Sequence, residues 1–324
     1  MSNLKLTLAC NGYDRVGALI DGRVKSDGID LDIRVLKPRE LFPRMLDTSE
    51  FDISELSLGS YASLVARGDS PFVAIPVMLS KIFRHSCIYV RSGAGIETPQ
   101  DLKGKRAGTT QYGATAIVTI KGMLADEYGV SPGDMRWFVG GLTAPAERPL
   151  IPLNLPKDVE LQFLPEGETL EAMFAAGELD VLFSIYFPKL FLEGSPSIAR
   201  LFPDFKAVEQ DYYRRTGIFP IMHVVVIKKD VYRDNPWVAN SLYRAFCQAR
   251  DLAIEPLHDT DALMVALPWL IDHVEESWRM FGKDLWAYGI EPNRPALEAL
   301  CRWIHEQGLA PRRVTPEELF VPVE

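Results

Sequence analysis

The chain has 324 residues, 47% of them hydrophobic and 24% charged, with a formal net charge of -9. That length and composition give a well-buried core, exclude disorder, and exceed one ordinary layered unit, so two lobes are expected. The acidic balance, with no basic tract interleaved with aromatics, excludes extended contact with nucleic acid or an anionic membrane surface and leaves any anionic ligand to a few local cations.

In chain order, residues 1–10 alternate apolar and polar like a half-buried strand and lack the apolar core and cleavage site of a signal peptide, so a cytoplasmic location is expected. Strands follow over 29–35, 52–56 and 72–77, with a helix over 39–46, the rhythm of βαβ units and a mostly parallel sheet. A second unit begins after the strand-like stretch 87–90. It continues through a short helix, turn and strand over 98–108, a long helix over 114–128, and strands over 135–139 and 159–164. A proline-studded surface loop, 143–156, separates those two strands. A helix over 170–176 closes at Gly177 before a strand over 180–184, and an apolar strand returns over 221–227. From 235 to 307 the pattern is mainly helical, with a proline-punctuated tail over 311–324.

The longest apolar stretches, such as 224–227, are strand-sized, so no membrane span is expected. Cys10, Cys87, Cys247 and Cys301 show no paired spacing, which suits reduced core thiols better than disulfides or a zinc site. Two extended crossings, near 86–91 and 216–223, would hinge lobe I (1–88 with 220–324) to lobe II (89–219). The cleft between them is where an α/β ligand site is expected.

Two phrases, Asp101-Leu102-Lys103-Gly104-Lys105-Arg106 and Ala176-Gly177-Glu178-Leu179-Asp180, are similar to signatures of type II solute-binding proteins of the nitrate, sulfonate and thiamine-precursor group. Longer runs resemble the 4,5-dihydroxyphthalate decarboxylase family: 8–15 (LACNGYDR), 83–90 (FRHSCIYV), 212–223 (YYRRTGIFPIMH) and 315–320 (TPEELF). The resemblance implies a two-lobed, type II periplasmic-binding-protein-like α/β fold and decarboxylation of a hydroxylated aromatic dicarboxylate without an organic cofactor. The substrate it implies is 4,5-dihydroxyphthalate, giving 3,4-dihydroxybenzoate. One departure is that similar sequences carry an arginine where this chain reads Ser184-Ile185-Tyr186-Phe187-Pro188. The carboxylate is then held elsewhere, or the substrate differs.

Such a decarboxylation needs a proton donor near the carboxylate-bearing ring carbon, a base near the para hydroxyl, and cations that orient the dianion. His85, preceded by Arg84 at the first crossing, can serve as donor or base; its alternative is a capped or surface histidine. His223, on the returning strand, is a second candidate, or a buried histidine with one satisfied hydrogen bond. Glu55 is a candidate base for the phenol, beside Ser57 and Ser60, which otherwise read as helix caps. Tyr13, Asp14 and Arg15 follow the first strand. Arg15 suits bidentate carboxylate binding, unless Asp14 merely caps the next helix. Thr109, Thr110, Gln111 and Tyr112 precede a helix N-terminus suited to an anion, with Ser184 and Tyr186 completing the pocket.

No HExxH, CxxC pair, Walker loop or G-x-G-x-x-G occurs, so no metal or cofactor is expected. The expected partner is a small aromatic di- or monocarboxylate, with a homo-oligomer left open. A solute-binding protein for a small organic anion, or another enzyme on this fold acting on a chorismate-derived acid, are the competing readings.

Overall fold

The computed structural model describes residues 3–144 and 153–324. Its strands are β1 (Leu4–Cys10), β2 (Ile29–Val35), β3 (Ile53–Ser57), β4 (Phe72–Lys81), β5 (Ile88–Arg91), β6 (Arg106–Thr109), β7 (Arg136–Val139), β8 (Glu160–Phe163), β9 (Val181–Phe183), β10 (Ile198–Arg200) and β11 (Ile221–Lys228). They form two sheets, one ordered β2-β1-β3-β11-β4 and the other β10-β5-β9-β6-β7-β8, both flanked by helices. Each sheet has its own apolar core, built on β1, β3, β4 and β11 in the first and on β5, β6, β7 and β9 in the second.

Both sheets are mostly parallel in strand direction, as expected, and each is mixed by one strand that runs against the rest. In the first sheet β11 runs antiparallel to β3 and β4. In the second, β5 runs antiparallel to β9 and β10. The reason is the route of the chain. It leaves the first sheet after β4 and re-enters it through β11, so the returning strand runs against its neighbours. Most predicted elements are present, several with shifted ends; β4 extends to Lys81 rather than stopping at residue 77. Strand β10 and the helix Phe205–Thr216 were not read from the sequence. Residues 145–152 of the proline-studded loop lie outside the described residues.

The segments that link the two sheets, after β4 and before β11, lie side by side. The Ile82 N–H donates to the Pro220 carbonyl at 2.9 Å, and the Phe83 and Phe219 rings stack with centroids 4.8 Å apart. Phe281, at the end of helix Leu270–Phe281, packs against both rings and against Tyr213.

Helix Arg294–Glu306 touches elements of both sheets' surroundings. It packs on helix Leu58–Arg67 and on helix Thr115–Tyr128. Asp126 there accepts from Arg302 Nη1 and Trp303 Nε1, each at 3.0 Å. Gly122 makes the approach possible, since a Cβ at that position would meet the Trp303 ring at 2.3 Å.

The two fold-level phrases of the sequence meet in space. Asp180 accepts from Arg106 Nε at 2.9 Å and from Arg91 Nη2 at 2.9 Å, while Arg106 Nη2 reaches the Gly177 carbonyl at 2.7 Å. Burial alone would raise the Asp180 pKa, but the two guanidinium groups and the Arg106 N–H hold it well below the usual carboxylate range. Strands β5, β6 and β9 are thereby tied together by side chains as well as by their ladders. Among the described residues, no helix is long and apolar enough to cross a membrane.

Candidate active site

Strand β3 is buried along its whole length, and in its middle sits Glu55, with no exposed surface. A carboxylate there must be paired. Oε2 accepts the Asn11 N–H at 2.8 Å, and Oε1 accepts the Tyr13 hydroxyl at 2.6 Å and lies 2.6 Å from His223 Nδ1. Register explains the meeting. His223 of β11 pairs with Ser57 and Val225 with Glu55, so Glu55 and His223 are diagonal neighbours on adjacent strands, within reach of long side chains. Burial alone would raise the Glu55 pKa. The hydrogen bond and charge of His223, with the Tyr13 hydroxyl and Asn11 N–H, outweigh it and hold the carboxyl below its usual value.

An ionised Glu55 accepts only, so His223 Nδ1 must carry the hydrogen between them. The other ring nitrogen, Nε2, is the one left for a ligand. Phe42 packs edge-on against the imidazole at 4.9 Å and 88°, fixing the ring plane. Burial, and then the neighbouring Glu55 charge, push the Tyr13 phenol well above its usual range, so it stays a donor.

Arg15 extends the network. Its guanidinium lies 4.1 Å from the Tyr13 ring centroid and 4.4 Å from that of Trp286. Nε donates to the Leu79 carbonyl at 2.6 Å and Nη1 to Asp14 at 3.0 Å. The side chain therefore spans from the end of β1 to β4, and Nη2 has no recorded partner among the described residues. Asp14 is the first residue of helix Asp14–Ile20, whose N-cap is Tyr13, so the expected Asp14 cap is corrected by one position.

The serines expected near Glu55 are committed to a junction between helices. Ser57 caps helix Leu58–Arg67 through Ser60 N at 3.4 Å, and its hydroxyl lies 2.8 Å from Thr115 Oγ1 and 3.2 Å from Ser60 Oγ. Thr115 Oγ1 also accepts the Gly59 N–H at 3.0 Å. Thr115 is the first residue of helix Thr115–Tyr128, so the N-termini of one helix from each sheet's surroundings adjoin at the carboxyl end of β3.

Other candidates lie elsewhere. His85 is 1% exposed, with its ring between Phe202 and Tyr212 and Nδ1 3.6 Å from Glu209; it has no recorded contact with Glu55 or His223. Arg84 Nη1 faces Cys87 Sγ at 3.9 Å. Thr109 and Tyr112 are buried in the second sheet's surroundings, the Tyr112 ring against Trp137 and Lys121. Thr110 and Gln111, half-buried, lead to the Thr115 helix. The Ser184 hydroxyl is occupied by its own turn, donating to the Tyr186 carbonyl at 2.7 Å, while Tyr186 itself is exposed. Among the described residues, no group of three His, Cys, Asp or Glu side chains could hold a metal ion.

A 4,5-dihydroxyphthalate decarboxylase of Comamonas testosteroni is 40% identical over 322 residues, covering 99% of this chain and 98% of that protein. The chain belongs to the 4,5-dihydroxyphthalate decarboxylase family. A second member, from Pseudomonas putida, is 40% identical over 214 residues, covering 66% of this chain and 83% of that protein. Residues 22–145 match the NMT1/THI5 like family model. The fold is also that of a periplasmic sulfonate-binding protein from Methylobacillus flagellatus, at a TM-score of 0.59 and 13% identity, covering 99% of this chain and 93% of that one.

Within this family fold, sequence reasoning missed Asn11, Phe42, Lys81, Thr115 and Trp286. Lys81 lies beyond the expected strand end at residue 77, and nothing in its neighbouring residues marks it as buried. Trp286 lies far along the chain from the residues it stacks on, and no local pattern reports that contact.

Proposed function

We propose that the chain decarboxylates a hydroxylated aromatic dicarboxylate, most directly 4,5-dihydroxyphthalate to 3,4-dihydroxybenzoate and carbon dioxide. The observation that carries this reading is the Glu55–His223 pair, an acid-base dyad set beside Arg15, together with the names of the two 40%-identical relatives.

In the proposed step, His223 in its protonated form gives the Nε2 proton to the ring carbon bearing the carboxylate, and the para hydroxyl supplies electron density to that carbon. The bond to the carboxylate then breaks, carbon dioxide leaves, and its electron pair restores the aromatic ring. His223 is left neutral and regains its proton from water. Glu55 stabilises the imidazolium and fixes its tautomer, the role of a buried carboxylate behind a catalytic histidine. Tyr13 and Asn11 keep Glu55 ionised, and Arg15 orients a substrate carboxylate.

We place the site between two lobes, 1–88 with 220–324 and 89–219, that close on the ligand, and the reaction in the cytoplasm. The paired crossings and the adjoining helix N-termini support the lobed arrangement. Small-angle scattering with saturating substrate analogue tests it, and an unchanged radius of gyration counts against closure.

The test of the reaction is turnover by purified, chelator-treated protein, followed as carbon dioxide release and 3,4-dihydroxybenzoate formation. Absence of both products from the folded protein overturns the reading. Activity lost on chelation and restored by a divalent ion overturns its metal-free part.

A further inference from the structure

Lys81 ends β4, one strand over from His223, whose partner on β4 is Ser80. It is only 7% exposed. Its ammonium donates to the Ala287 carbonyl at 3.3 Å and to Asn293 Oδ1 at 3.5 Å, both neutral and both long. Among the described residues no carboxylate forms an ion pair with it. The ammonium lies 5.2 Å from the Trp286 ring centroid and 5.1 Å from that of Phe219. Trp286, held by its indole N–H on the Met78 carbonyl at 2.9 Å, is the same ring that Arg15 covers. An unbroken series of contacts thus runs from His223 and Glu55 through Tyr13, Arg15 and Trp286 to Lys81.

A buried ammonium without a counter-ion is costly, because water is lost and no anion replaces it. Lys81 and Arg15, the latter paired with Asp14, lie on one indole, and the unpaired ammonium leaves a net positive potential at that end of the network. A dianionic ligand is the counter-charge that relieves it.

We propose that Lys81 is a positioning residue for the reaction, acting with Arg15 and Trp286 to make this end of the network a receptor for one carboxylate of an aromatic dicarboxylate. The proposal rests on the decarboxylase reading for its substrate class. Arg15 makes the direct contact through its free Nη2, while Lys81 supplies the second charge through the shared ring.

A pH signature follows. The charged groups facing Lys81 are Arg15 on helix Asp14–Ile20, Arg250 on helix Val238–Ile254, and Asp284 after helix Leu270–Phe281. Burial, as the largest influence, with Arg250 and Arg15 in the same direction and Asp284 opposing, pulls the Lys81 pKa down to about 8. The receptor therefore loses a charge as pH rises through about 8.

The experiment is calorimetric binding of phthalate, an unreactive dianion, and of benzoate from about pH 6 to about pH 9.5, on both sides of the Lys81 titration. Wild type, Lys81→Met and Lys81→Arg are compared, with folding verified by melting transitions. Wild-type affinity for phthalate should fall above about pH 8. Lys81→Met should bind phthalate about 3- to 10-fold more weakly at neutral pH, the effect of a charge acting without direct contact, and benzoate, whose single carboxylate can occupy either end of the site, by no more than that. Lys81→Arg should keep its affinity at alkaline pH. Phthalate binding by folded Lys81→Met within about twofold of wild type, an alkaline fall that persists unchanged in Lys81→Arg, or no phthalate binding by wild type would each overturn the proposal. Phthalate binding as described, without turnover of 4,5-dihydroxyphthalate, instead supports the receptor and removes the decarboxylase reading.

Discussion

Glu55 and His223, 168 residues apart in sequence, meet at 2.6 Å because β11 returns antiparallel to β3 in a register that makes them diagonal neighbours. The pair couples a fully buried carboxylate to a half-buried imidazole, and the proposed proton transfer rests on it.

If the dyad transfers the proton, Glu55→Gln and His223→Gln should each lower kcat by about 10²- to 10⁴-fold, the range for general acid-base groups, with a smaller change in KM. The two losses should not add in the double variant, because the residues act as a unit. Steady-state kinetics on the single and double variants measure both effects. Near-normal kcat in folded His223→Gln would remove it from the mechanism.

Glu55 also links stability to pH. Its folded pKa lies below the usual value of 4.5, so its contribution is fully present above about pH 4.5 and is lost as pH falls through the lower folded value. Glu55→Gln should flatten this part of the acid limb in urea unfolding measured from pH 7 down to about 3. An acid limb identical to wild type would show that Glu55 is not depressed. Other depressed carboxylates, Asp52 and Asp180 among them, retain their own share of the limb.

Arg15 is clamped by the Leu79 carbonyl, Asp14 and two aromatic faces, so its replacement tests binding and packing together. Arg15→Ala should mainly raise KM, since a carboxylate held equally in ground and transition states contributes uniform binding. Arg15→Lys should recover only part of the loss, because a point charge lacks the planar fork. A purely lowered kcat in Arg15→Ala would instead put the guanidinium at the reacting centre.

Gly122 offers a structural test with an unusual sign. Gly→Ala in a helix interior ordinarily stabilises by about 1 kcal/mol. Here the added Cβ meets the Trp303 ring at 2.3 Å, so Gly122→Ala should destabilise, by about 1–3 kcal/mol, as overpacking does. Chemical denaturation gives the sign directly. A stabilised variant would show that helix Arg294–Glu306 does not hold Trp303 against helix Thr115–Tyr128.

The local pattern of the sequence was sufficient for β2, whose predicted span of 29–35 agrees at both ends, and for the long helix ending at Tyr128. Alternating or continuous apolar runs and a glycine stop are written in neighbouring residues, so short-range physics determines them. The same applies to Glu55, Arg15 and His223 as candidates, since a charged or titratable group within or just after an apolar run is visible in one dimension. What tertiary structure alone decided is which candidates meet. Glu55 joins His223 because of strand register, while His85, equally attractive in sequence, is enclosed by Phe202 and Tyr212. Lys81 and Trp286 enter the neighbourhood through contacts spanning some two hundred residues, as the Trp286 hydrogen bond to Met78 shows with its separation of 208. Such contacts are selected by the packing of whole layers against each other, and no local propensity encodes them.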